Sequence, residues 1–369
     1  MMRLVHVHLA GAGLGLVVLL NGCAAPEREP AGEARQLVFP PPPEQGRYVF
    51  ERSLFSTANL KVDDSTSRLR RLVTGEATTG RGFGKPFDVV ACKGRIYVSD
   101  TVERVVMTFD VTARRFFEIG AEEPHNLLQP LGLNVDRACN LYVADTTARK
   151  IMVYDRDGGF ITSLGGPDQF RRLSHVAVTA DGSKVFAVDT GGIDSNQHHV
   201  RVFDVRSGQH LYDIGKRGAG PGEFNLPRDA EVGGDGLLYV VDGANFRVQV
   251  FEQGGGLVRT FGAVGRQTGQ FSRPKGIALD SENRVYVSDT AFGNFQIFTP
   301  DGKLLLFIGS RGAQPEPARY MLPAGIDVDE DGRVLMVDQY FNKVDIYRPL
   351  SMAASDGFLG AWEQGARPN

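Results

Sequence analysis

From about residue 84 onward, short runs of alternating apolar and polar residues are separated by turns rich in Gly, Asp and Asn. A period of two over a few residues is the mark of a β-strand with one buried face. The runs recur as a unit: a short strand, a turn, a strand ending in Asp, a loop, and a third strand ending in an aromatic. The clearest copy is Pro274-Lys275-Gly276-Ile277-Ala278-Leu279-Asp280, then Arg284-Val285-Tyr286-Val287-Ser288-Asp289-Thr290, then Phe295-Gln296-Ile297-Phe298. The strand-ending residues are Asp100, Asp145, Asp189, Asp242, Asp289 and Asp338, about 44 to 53 residues apart. That period belongs to four-stranded propeller blades. Fourth strands follow as Arg115-Phe116-Phe117, Phe160-Ile161-Thr162, His210-Leu211-Tyr212, Leu257-Val258-Arg259 and Leu304-Leu305-Leu306.

One such sheet is too small to be stable by itself, and stacking six around an axis buries both faces of each. The pattern therefore predicts an all-β chain, a six-bladed β-propeller with four antiparallel strands per blade over residues 84–362. The repeated Asp is expected to accept backbone amides in the turn that follows it, a structural role. Two segments fit the missing outer strand of blade six. One is Gly357-Phe358-Leu359-Gly360-Ala361-Trp362, and the other is Tyr48-Val49-Phe50-Glu51-Arg52, which would close the ring from the N-terminal side. Residues 47–83 hold that strand and a short helix expected at Ser65 to Val73, with Leu69, Leu72 and Val73 on one face. Residues 363–369 are read as a tail.

The units resemble the NHL repeat family. The resemblance is carried by Asn225-Leu226-Pro227, Tyr239-Val240-Val241-Asp242, Asn245-Phe246-Arg247-Val248-Gln249-Val250-Phe251 and the inter-blade loop Gly218-Ala219-Gly220-Pro221-Gly222-Glu223-Phe224. It covers most of residues 84 to 310 and, more loosely, Leu322 to Tyr347. Blade three departs furthest, with Leu173-Ser174-His175-Val176 lacking the proline and a lengthened loop at Gly191 to His199.

The chain has 369 residues, and its first part explains the length beyond the blades. Arg3 precedes a short apolar run from Leu9 to Leu20, which ends in Leu20-Asn21-Gly22-Cys23. Charge, apolar run and small residue in that order read as a secretory signal over residues 1–22. The four residues resemble the lipobox of bacterial lipoproteins. That resemblance implies cleavage before Cys23, lipidation of its thiol and, with Ala24 following, a place in the outer membrane facing the periplasm or the cell surface. Residues 23–46, rich in Pro, Glu, Arg and Ala, read as a tether that cannot bury a core.

Net charge is −3, which gives no electrostatic reason to expect a nucleic acid partner. No G-x-S-x-G, H-E-x-x-H, C-x-x-C or C-x-x-C-H motif is present. Chemistry is then sought where the copies differ. The glycine opening the inner strand is kept as Gly132, Gly276 and Gly325 but replaced by Asp88, His175 and Asp229. Two residues on stand Asn134, Glu231 and Asp327. In a six-bladed ring Asp88 and Asp229 face each other across the channel mouth. Carboxylates with Asn134 make an oxygen donor set suited to Ca²⁺ or Mg²⁺; alternatively each carboxylate bonds backbone amides, or an arginine such as Arg228, between blades. Asp194, His198 and His199 of the lengthened loop are read as an interaction loop, and His125 as a solvated loop residue on the same face. Cys92 and Cys139 fall near equivalent turns of adjacent blades and are either bridged or two buried thiols.

The reading of function is a monomeric, lipid-anchored scaffold that binds a cell-envelope protein, without catalysis. The alternatives are a metal-dependent hydrolase or lyase of the lactonase and peptidylglycine-lyase propeller type, and a glycan or cell-wall binder. The last would want exposed aromatics, and Phe224 and Phe271 are expected to plug between blades instead.

Overall fold

The computed structural model describes residues 36–60 and 80–364. Cys23, the leader, most of the tether, the helix expected at Ser65 to Val73 and residues 365–369 lie outside the described residues. Among those described, no helix is long and apolar enough to cross a membrane.

The sheets follow the repeat. Blade one comprises Pro86–Cys92, Arg95–Asp100, Val105–Asp110 and Arg115–Ile119, paired in that order. Blades two to five repeat the arrangement from innermost strands Pro130–Val135, Leu173–Val178, Pro227–Val232 and Pro274–Leu279. Blade six begins at Pro323–Val328 and continues with Val334–Asp338 and Lys343–Pro349. Each innermost strand packs on the next, and the sixth packs on the first, so the ring is closed. Every pair within a blade is antiparallel, and alternate side chains fill the space between blades. Phe224 and Phe271 are fully buried there, in separate inter-blade cores.

The ring is closed by the N-terminal segment. Tyr48–Leu54 pairs antiparallel with Lys343–Pro349, and Val38–Phe39 adds a fifth strand outside it. Closure therefore joins the two ends of the chain in one sheet, which ties blade six against unravelling. Inside the joint, Arg333 is fully buried and its Nε donates to Glu51 Oε2 at 2.9 Å. Its Nη2 donates to the carbonyls of Ala354 and Asp356, so one guanidinium holds both the closing strand and the segment after blade six. That segment does not form a strand. Leu359 and Trp362 turn into the core shared by blades six and one, and Arg52 lies 4.6 Å over the Trp362 ring. The apolar spacing that fits a fourth strand serves here as a plug.

The six repeated aspartates are buried, and each joins two loops. Asp289 accepts the amides of Ser272 and Arg273, which lead into the innermost strand, and those of Ala291 and Phe292 in the following turn. Asp100, Asp145 and Asp338 do the same with their own loops. The turn bonds are those expected from the sequence, and the second set fixes the approach to the axis. Cys92 and Cys139 are joined by a disulfide, with Cα atoms 5.8 Å apart, linking blades one and two.

Candidate functional site at the channel mouth

The innermost strands begin on one face, hereafter the upper face, where the loops between second and third strands also lie. Inner-strand edges point amides at the axis that no strand can pair, and polar side chains from neighbouring blades meet them. Asp88 accepts the Leu133 amide of blade two at 2.7 Å. Asp229 accepts the Ile277 amide of blade five at 2.9 Å, and Asp327 accepts the Ala91 amide of blade one at 2.7 Å. Each carboxylate thus stitches its blade to the next. Hydroxyls of the second strands add to this: Ser99 donates to Leu131 O and Ser288 to Ala324 O.

The three departures from the opening glycine converge. His175 Nε2 lies 2.7 Å from Asp88 Oδ2, and its Nδ1 lies 2.6 Å from Asp229 Oδ1. All three side chains are buried. Burial pulls the His175 imidazolium down, but the two flanking carboxylates outweigh it and hold its pKa well above the ordinary histidine value. The result is a charged bridge across the axis joining blades one, three and four.

The retained glycines make room for it. A Cβ on Gly132 would lie 2.5 Å from the Cα of His175, and one on Gly325 would lie 1.9 Å from Asp88 Oδ1. Large and absent side chains are complementary around the ring.

Below the bridge lies a second tier. Asn134 Nδ2 donates to Glu231 Oε2 at 2.6 Å. Burial, with the charges of Asp327 and Asp229, pushes Glu231 up to about 8, and burial likewise raises Asp327 to about 8. The six residues singled out in the sequence therefore form two tiers rather than one donor set. Among the described residues, no group of three or more His, Cys, Asp or Glu side chains is arranged to hold a metal ion. The amide alternative of the sequence reading describes Asp88, Asp229 and Asp327, while Arg228 pairs with none of them.

Above the bridge is a cavity of about 120 Å³, with Phe87, Leu131, Arg172, Arg228 and Lys275 among its walls. These basic residues immediately precede or follow the first residue of an inner strand, a position the repeat comparison passed over. Lys275 Nζ donates to Gln339 Oε1 and lies 4.6 Å from the Phe87 ring centre. Burial and the neighbouring Arg228 push Lys275 down to about 8.

The blade-three loop is arranged differently from its reading. His198 is fully buried, donating from Nε2 to Gly192 O and accepting the Leu226 amide at Nδ1. His199 is buried beside Asp189, and burial lowers its pKa. Both are supports of the loop, whereas Asp194 is exposed and Ile193 is 76% exposed. His125 is exposed and stacks on Phe160 at 3.7 Å.

Fold and site together define a six-bladed β-propeller with a closed polar axis. The chain carries an NHL repeat, which matches at residues 271–299. It is 25% identical over 152 residues to Protein brain tumor of Drosophila melanogaster, a stretch covering 40% of this chain and 14% of the fly protein. This chain therefore spans a small part of that relative. Solved structures are similar in fold. A protein of unknown function from Bacteroides thetaiotaomicron superposes with a TM-score of 0.58 at 16% identity, covering 83% of this chain and 76% of that one. A gluconolactonase from Xanthomonas campestris gives 0.55 at 16% identity, over 72% and 86% of the two chains. A catalytically inactive virginiamycin B lyase from Staphylococcus aureus with quinupristin gives 0.52 at 12% identity, over 73% and 84%.

Proposed function

We propose that the protein is a binding scaffold whose upper face docks a partner protein at the bacterial cell envelope. One observation carries this reading. The four most exposed large apolar side chains among the described residues are Ile193, Val264, Val102 and Tyr340, and all four stand on upper-face loops. Exposed apolar groups gathered on one face of a rigid scaffold mark an interaction surface. The envelope location rests on the Leu20-Asn21-Gly22-Cys23 sequence, and the Cys92–Cys139 disulfide supports an oxidising compartment. Lipid on Cys23 would anchor the domain at the outer membrane.

Capture of partners by the full lipidated chain from solubilised envelopes tests the reading. Ile193→Asp with Tyr340→Asp should abolish capture, and Phe358→Asp, at a 44% exposed site on the opposite side, should leave it intact. Capture that ignores both changes, or no enrichment by the unmodified chain, overturns the proposal.

A second reading, metal-assisted hydrolysis or elimination in the channel, is favoured by the lower tier. Glu231 and Asp327 are buried carboxyls each raised to about 8, and Glu231 accepts the Asn134 amide. Calorimetric titration with Ca²⁺ and Mg²⁺ decides: stoichiometric binding lost in Glu231→Gln supports it, and absence of binding removes it.

A further inference from the structure

We infer that the channel mouth takes carboxylate side chains from an acidic, apolar-flanked segment of the partner protein. The inference rests on the scaffold reading and names the chemistry of what is bound. Its first ground is unmatched positive charge. The guanidinium groups of Arg172, Arg228 and Arg273 have no hydrogen-bond acceptor or ion-pair partner among the described residues. Arg172 and Arg228 line the cavity with Lys275, and Arg273 stands close enough to Arg228 to repel it. Surface cations are ordinarily scattered among anions, so such a group is unusual in a chain whose net charge is −3.

The floor of the cavity does not neutralise them. Asp88 and Asp229 contribute two negative charges and protonated His175 one positive, leaving a single net negative below four cations. Asp338 also faces Lys275, but its oxygens already accept four backbone amides. Arg228 runs over Gly243, its Cγ 2.7 Å from where a Cβ on that residue would lie, so the glycine leaves room for it. Burial chiefly, and after it the charges of Arg172 and Arg273, lower the pKa of Arg228.

The second ground selects the kind of anion. A cavity of about 120 Å³ admits one or two carboxylate groups and no large ligand. On loops of the same face, Val102, Leu128, Ile193 and Leu322 are exposed and aliphatic. Single-stranded nucleic acid is held by stacking on aromatic faces, and on this face Tyr340 is the most exposed ring while Lys275 covers Phe87. Aliphatic flanks around cations fit a peptide in which Glu or Asp alternates with Leu-like residues. Arg forks suit carboxylates in two-point contact.

The test uses the full chain and a fluorescein-labelled dodecapeptide of alternating Glu and Leu, read by anisotropy. A Gln-Leu peptide and a uridine dodecamer are run in parallel. The Glu-Leu peptide should bind more weakly as salt rises. Arg172→Ser, Arg228→Ser and Arg273→Ser together should weaken it at least about tenfold, roughly the value of one charge-assisted contact. Because the three guanidinium groups make no hydrogen bond or ion pair among the described residues, the melting temperature should change little. Equal binding of the Gln-Leu peptide, tighter binding of the uridine oligomer, or an unaffected triple variant overturns the inference. Envelope capture that needs Ile193 and Tyr340 but not the three arginines sinks this inference and leaves the scaffold reading standing.

Discussion

Two sets of buried carboxylates lie under the same face and are stabilised in different ways. The strand-ending aspartates occur once per blade; Asp100, Asp145, Asp289 and Asp338 each accept four backbone amides from their own blade. The axial carboxylates occur in only some blades and reach across to the next one, with His175 shared between two of them. A local staple can be copied six times because its partners are copied with it. An axial group cannot, since six carboxylates converging on one axis would repel, so three positions carry glycine instead. The rim builds the blade, and the axis chooses how blades meet.

The largest effect is expected from removing the shared cation. His175→Ala leaves Asp88 and Asp229 facing each other without a counter-charge, at a cost of about 3–5 kcal/mol in urea unfolding. Because the folded pKa of His175 is raised, its contribution is whole below about pH 6.5 and is lost as pH rises through the folded value. The gap between the parent and His175→Ala should therefore narrow at alkaline pH; a gap that widens there contradicts the charged bridge.

Next comes the staple. Asp289→Ala orphans four amides and should cost about 2–4 kcal/mol, and Asp145→Ala should match it closely. Unequal costs would break the claim that the rim is repeated in energy as well as in sequence.

Gly325→Ala and Gly132→Ala place a Cβ against Asp88 and His175. Each should cost about 1–3 kcal/mol. Little loss on thermal melting would mean that the axis is looser than its packing. At acidic pH the smallest effect is at the lower tier. Glu231→Gln, close in shape to the protonated carboxyl, should change stability little at about pH 4 and should flatten the fall of stability as pH rises from about 4.3 to 8, because the raised carboxyl favours the folded state only while protonated. An unchanged pH slope in the urea midpoint would show that Glu231 does not titrate as placed.

The blades, their order and the strand-ending aspartates were legible because each depends on spacing within one repeat. The departures at Asp88, His175 and Asp229 were also visible, as breaks in a repeated column. The bridge itself was not, because the residues lie on three blades and their meeting depends on the diameter of the closed ring. The inward turn of His198 and His199 was equally hidden, since sequence places a loop on a face without saying which side chains support it. The basic residues at the mouth were in plain view but sit beside the glycine column that drew the comparison.

What the sequence alone determined is the unit and its number, since period-two patterning and turn residues act over a few positions. Tertiary structure decided between the two candidate closing strands, both of which fit the local pattern. Tyr48–Leu54 takes the edge of Lys343–Pro349, while Leu359 and Trp362 fill the core between blades six and one. It also decided that Cys92 and Cys139 meet, and that two carboxylates and a histidine share one buried charge. These outcomes depend on distances between blades, which are set only when the ring closes.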